Sequence, residues 1–222
     1  MSGRLSFERD LQRLQDDTLL LASMVDQAIG SSVDALRHLD TAAAERIIRA
    51  DRDINARRFA IEEAAITTIA TQHPIARDLR TIIAVLHISV ELERMGDYAA
   101  GIARIVLMHG DQELLKPLVD IPRMADYGRS MLRQSLDALV ARDTTLAIKV
   151  ASEDDLVDAL YDQVYRELLT YMIQDPRTID RATWLLWVAH NLERIADRVT
   201  NICERVVFLI TGHLNEMNAS SY

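Results

Sequence analysis

From Phe7 the apolar and small positions continue through Leu11, Leu14, Thr18, Leu21, Val25, Ala28 and Ser32, in steps of four and three. That spacing returns to one face of a 3.6-residue helix and never alternates with period two, so it predicts a bundle helix. This helix should end near His38. Local punctuation places the others. Asp40 is positioned to cap a second helix running to about Gln72, and His73-Pro74 breaks the chain and opens a third that ends near Gly110. Pro117 and Pro122 bound the next connection. A fourth helix is expected from about Ile121 to Arg142, a fifth capped by Asp143 and reaching Gln174, and a sixth opened by Asp175-Pro176 and ending near Gly212. Asn215 to Tyr222 reads as a frayed end.

The halves repeat. Leu92, Glu93, Arg94, Asp97, Ile102 and Val106 recur 100 residues later as Leu192, Glu193, Arg194, Asp197, Ile202 and Val206. Pro74 recurs at Pro176, and Asp51 with Asn55 recurs as Asp154 with Asp158. A duplicated unit of about 100 residues matches one helix bundle per half. The expected fold is therefore all-α, two tandem pseudo-symmetric three-helix bundles, one over residues 1–116 and one over 117–222. Composition agrees: seven glycines and four prolines make about 5%, against a usual ~12%, too few for a turn-rich β fold.

The charge balance is acidic, 25 Lys+Arg against 34 Asp+Glu, with Lys116 and Lys149 as the only lysines. No basic stripe is offered to a polyphosphate backbone, which argues against nucleic-acid binding. No apolar leader and no uncharged run of about 18–20 residues is visible, so a cytoplasmic protein without membrane insertion is expected. The single Cys203 has Val199, Ile202 and Val206 at helical spacing and reads as a core thiol.

Residues four apart stack on one helix face, so Glu93 with Asp97 and Glu193 with Asp197 form local like-charge pairs. The stripe Ile88, Leu92, Met95, Ala99, Ile102 and Val106 points the other way, leaving the acids outward. The same outward face is apolar earlier, at Leu79, Ile82 and Leu86, which would serve a dimer or partner contact or be covered within the monomer. Antiparallel neighbours are level when equidistant from their turn. Asp51 and Asn55 mirror Glu93 and Asp97 about Pro74, and Asp154 and Asp158 mirror Glu193 and Asp197 about the Asp175-Pro176 bond. Each hairpin should thus gather its own acidic set at one height. Bringing carboxylates within ~6 Å costs roughly 0.7 kcal/mol per pair in water and about 3 at an effective dielectric of 20. A cation would remove that cost, and oxygen donors of this kind suit magnesium, manganese, calcium or iron. His190, three residues before Glu193, would add a nitrogen, although the first half has Val90 there. The competing reading is a solvated face in which Arg94 and Arg194 pair with the acids.

Several chemistries lack their marks. No histidine has a glutamate three residues before it, so the Glu-x-x-His pairs of ferritin-like di-iron oxidases are missing. Phosphate-cradling glycine loops and hydrolase elbows are also absent. The paired Glu-Arg-x-x-Asp segments at 93–97 and 193–197, Asp-Arg-Asp-Ile-Asn at 51–55, Asp-Leu-Arg at 78–80 and Tyr-Met-x-x-Asp at 171–175 resemble the PhoU family of phosphate-uptake regulators, over essentially the whole chain.

The resemblance implies two similar three-helix bundles in a cytoplasmic homodimer. It also implies divalent or multinuclear metal sites, the metal being magnesium, manganese, iron or zinc. The ligand candidates carried over are Asp51, Asn55, Glu93 and Asp97 in one half and Asp154, Asp158, Glu193 and Asp197 in the other. Asn55 departs from a strictly acidic set and should weaken the first site. The implied role is regulatory, not enzymatic: negative control of phosphate uptake and of the phosphate-starvation response, by coupling the ATPase subunit of a phosphate ABC transporter to a sensor histidine kinase. Two other readings compete, a carboxylate-metal phosphoester hydrolase and a metal-free helical scaffold.

Overall fold

The computed structural model describes residues 2–110, 112–213 and 217. Among them the chain forms helices α1 (Ser2–His38), α2 (Thr41–Gln72), α3 (Ala76–His109), α4 (Asp120–Ala141), α5 (Thr144–Ala151), α6 (Asp154–Gln174) and α7 (Ile179–Thr211), with a 3-10 turn at Pro176–Thr178 and no strand. The punctuation acts as the side chains dictate. Asp40 accepts the Ala43 backbone N–H at 2.8 Å and Asp143 that of Leu146 at 3.0 Å, each satisfying a donor at the open end of a helix. Gly212 ends α7 at φ 78°, where a side chain would be strained. The expectation for Asn215 to Tyr222 falls outside the described residues except at Met217, whose N–H donates to Glu204 at 2.9 Å.

The anticipated fifth helix is two. At Ser152 and Glu153 the backbone stays right-handed, with ψ near −10°, and Glu153 donates to the Val150 carbonyl in place of a full helical bond. That tightened turn separates α5 from α6 and lets α5 fold onto α4 and α7. Neither residue is a helix breaker, so the sequence carries no mark of it.

The inward stripe is buried as expected: Ile88, Leu92, Met95, Ala99, Ile102 and Val106 are sealed from solvent, as are Leu192, Ile202, Cys203 and Val206. Each large aliphatic side chain so buried stabilises the fold by roughly 1.5–3 kcal/mol. Burial also pushes the Cys203 thiol up to about 12, which makes it inert packing. One helix, over Ser6–His38, is by length and composition alone long and apolar enough to cross a membrane, although Asp26 and Asp34 interrupt it. In this fold the apolar residues of that helix, Leu14, Leu21, Val25, Ile29 and Leu36, lie inside the bundle.

The halves meet along α3–α7 and α1–α4. Glu91 accepts from Arg198 at 3.3 Å and from Asn201 at 3.2 Å, while a methyl group at Gly101 would stand 3.3 Å from Asn191. The pairs 91/201 and 101/191 exchange under the 100-residue displacement, so α3 and α7 run antiparallel about a local two-fold axis. On the other side Arg129 of α4 lies against Gly30 and binds Asp26 of α1 at 3.0 and 2.9 Å. With α1 and α4 covering one side of the α3–α7 pair, α2 and α6 flank it, and the opposite side is open.

Candidate functional site

The α3–α7 register sets residues 93–97 beside 195–199, and 193–197 beside 95–99. The two Glu-Arg-x-x-Asp segments therefore lie at one height, on the face opposite α1 and α4. Each fills the groove between its helix and the flanking one. In the first half α2 and α3 approach closely because position 96 is glycine: a methyl there would sit 3.1 Å from two Ile54 carbons and 3.6 Å from Asp51 Oδ1.

The structure brings Asp51, Glu93 and Asp97 into one electrostatic group. Burial, then the Asp97 charge, raise the Asp51 carboxyl above its ordinary range, and Arg104 works against them. Burial and then Asp97 raise Glu93, opposed by Arg58 and Arg94. Asp51 Oδ1 is buried and has no hydrogen-bond partner. Asn55 is turned aside, its Nδ2 donating to the Asp51 backbone carbonyl at 3.1 Å.

The second group is more negative. Glu193 is pushed up to about 7 by burial, then by Asp197, with Asp158 and Asp154 adding to it and Arg194 opposing. Asp158 is raised by burial and then by Asp197. Glu193 Oε2 is buried without a hydrogen bond, and His190 Nδ1 stands 3.4 Å away. Arg194 reaches Asp197 at 3.1 Å and Arg198 reaches it at 3.8 Å, whereas Arg94 turns to Glu91 at 3.9 Å. Among the described residues, the arginine pairing of the competing solvated-face reading is thus found at Asp197 and not in the first group.

Three neighbours were not anticipated from the sequence. Arg58 occupies the place in α2 that Tyr161 occupies in α6, and Arg104 the place that Glu204 occupies in α7. Burial is the first cause of the rise at both Glu193 and Glu93, and Glu93 is in addition opposed by Arg58 where the second half has the Tyr161 phenol. Burial and then Glu193 raise the Tyr161 hydroxyl, whose ring is 6.2 Å from that of His190. The available signal was spacing: Arg58 and Tyr161 each lie three residues after a ligand candidate, on the same helix face. Of the apolar residues of the outward face, Ile82 is fully buried and Leu86 packs against the core, while Leu79 stays exposed.

The donor set fits a hard divalent cation in charge and atom type, since buried carboxylate oxygens lie among like charges. The set is not pre-assembled. Among the described residues no three His, Cys, Asp or Glu side chains surround one point closely enough to hold an ion as they stand, so binding would have to draw them inward.

Comparison with characterised proteins decides the family. The PhoU domain model matches twice, over residues 18–106 and 121–206. The chain belongs to the PhoU family. It is 38% identical over 216 residues to the phosphate-specific transport system accessory protein PhoU homolog of Clostridium acetobutylicum, covering 97% of this chain and 99% of that one. It is 34% identical to phosphate-specific transport system accessory protein PhoU of Escherichia coli, over 93% of this chain and 86% of that protein. The crystal structure of PhoU from Pseudomonas aeruginosa superposes with a TM-score of 0.89 at 33% identity, covering 93% of this chain and all of that one. The duplicated helical unit is thus the PhoU domain, and both of its matches include a Glu-Arg-x-x-Asp segment.

Proposed function

We propose that this PhoU protein is a non-enzymatic regulator of phosphate transport, a cytoplasmic homodimer that restrains phosphate uptake and the starvation response by bridging the transporter ATPase subunit and a sensor histidine kinase. The observation that carries the reading is the pair of carboxylate groups at one height on one face. Such buried repulsion is costly to keep unless a cation offsets it. Asp51, Asn55, Glu93 and Asp97 would hold one ion set, and Asp154, Asp158, Glu193 and Asp197 the other. Positive charge supplied there would tie α2 to α3 and α6 to α7. A face held rigid in this way loses little conformational entropy when a partner docks.

The test uses the full chain, immobilised and offered detergent-solubilised membranes from phosphate-fed cells. The metal-loaded protein is expected to capture the ATPase subunit and the kinase, and EDTA treatment or the double substitution Glu93→Gln with Glu193→Gln to reduce both by about tenfold, the scale of a 1.4 kcal/mol loss. Equal capture with and without metal would contradict the ion's part, and capture of neither partner would contradict the adaptor.

A further inference from the structure

The first half holds a cleft that the second half has closed. It lies between α1 and α2, encloses about 530 Å³, and runs from Met24 to His38 on one wall and from Asp40 to Ile54 on the other. At 1.5 Å per residue that is roughly 21 Å, four helical turns. Its cause is local: the walls meet through alanines such as Ala28, Ala35, Ala43 and Ala50, too short to fill the seam. In the second half the turn at Ser152 and Glu153 frees α5 to close on the core, and Ala147, Val150 and Ala151 are fully buried or nearly so. The matching segment of α2 is an unbroken helix, and Ile47 and Ile48, the counterparts of Val150 and Ala151, stay partly exposed.

We infer that this cleft is a docking groove for a basic amphipathic helix of a partner protein. The floor is apolar, with Met24, Ile47 and Ile54 among the lining, and suits the apolar stripe of a helix at i, i+3, i+4 and i+7. Leaving aside Asp51, which also belongs to the first carboxylate group, the walls are acidic on both sides: Asp34 on α1, and Asp40 and Asp53 on α2, outnumber Arg46. Lysines or arginines flanking the apolar stripe would meet those carboxylates, and an acidic helix would be repelled. The length of the groove, four turns, selects a helix over a compact ligand. This assignment does not depend on an ion at the carboxylate groups.

The probe is a fluorescein-labelled 18-residue peptide with leucines at i, i+3, i+4 and i+7 and lysines on both flanks, titrated with the full-length protein by fluorescence anisotropy. It is expected to bind roughly tenfold more tightly than a scrambled peptide of the same composition, and more tightly still than its Glu-for-Lys counterpart. Ala50→Trp, which obstructs the groove from a partly open position, and the exposed pair Asp34→Lys with Asp53→Lys should each weaken binding about tenfold. Ile148→Trp on exposed α5 should leave it unchanged. Equal affinity for the scrambled peptide, or no effect of Ala50→Trp, would overturn the groove by showing attraction to the acidic surface alone. Binding of dodecyltrimethylammonium blocked by Ala50→Trp, with no peptide binding, would overturn the helix as occupant.

Discussion

With metal removed, Glu193→Gln is expected to make the protein more stable than the wild type above pH 7. The carboxyl of Glu193 stands at about 7 in the folded chain against an ordinary 4.5. Below 4.5 the group is protonated in both states and costs nothing. Between 4.5 and 7 the unfolded chain ionises while the folded chain resists, so the stability associated with the protonated form is lost as pH rises through 7. The full difference is about 3 kcal/mol for a side chain still 18% exposed, and screening trims it to roughly 2–3. Urea denaturation in EDTA at pH 4 and pH 8 would read it: glutamine should gain at pH 8 and nearly nothing at pH 4. Glu93→Gln should gain less, because Arg58 and Arg94 already offset part of the charge. An equal gain at both pH values would show that the side chain is not held among like charges.

The second large effect is expected at the junction of the halves. Glu91 and Arg198 are 15% and 13% exposed, and Glu91 Oε2 also takes the Asn201 amide. Glu91→Ala would leave Arg198 nearly buried with only the more distant Asp197 carboxylate, 3.8 Å away, and with its Nε already lacking a hydrogen bond. The expected cost is about 2–3 kcal/mol, below the 3–5 of a fully buried pair because some water reaches both groups. Adding Arg198→Met should recover most of it, since the stranded charge is then gone. A double-mutant cycle by urea denaturation measures the coupling, and additive losses would show that the pair does not join the halves.

The sequence displayed much of this molecule. The seven-residue return of apolar side chains predicts α1, the aspartates before α2 and α5 mark their caps, and mirror distances about Pro74 and Pro176 place the acidic residues level. What it concealed arises from contacts between helices. Ser152 and Glu153 are ordinary helical residues, so the turn that folds α5 inward is set by packing, and with it the contrast between a closed second half and an open first half. The register of α3 against α7 is fixed by Glu91, Asn201, Gly101 and Asn191, distant in sequence and unremarkable alone. The rotation of Asn55 toward its own helix, the turn of Arg94 to Glu91 and the pairing of Arg194 with Asp197 are choices among near-equal rotamers that no spacing rule decides.

Cation binding at the two level carboxylate groups is the property we propose for this protein. Isothermal titration of the EDTA-stripped full-length protein with manganese, repeated on Glu193→Gln and Glu93→Gln, tests it most directly. Stoichiometric binding is expected at both groups, tighter at the second, with the Glu193→Gln change removing the tighter phase and the Glu93→Gln change the weaker one. Heats indistinguishable from dilution in the wild type, or binding unaltered by either substitution, would contradict it.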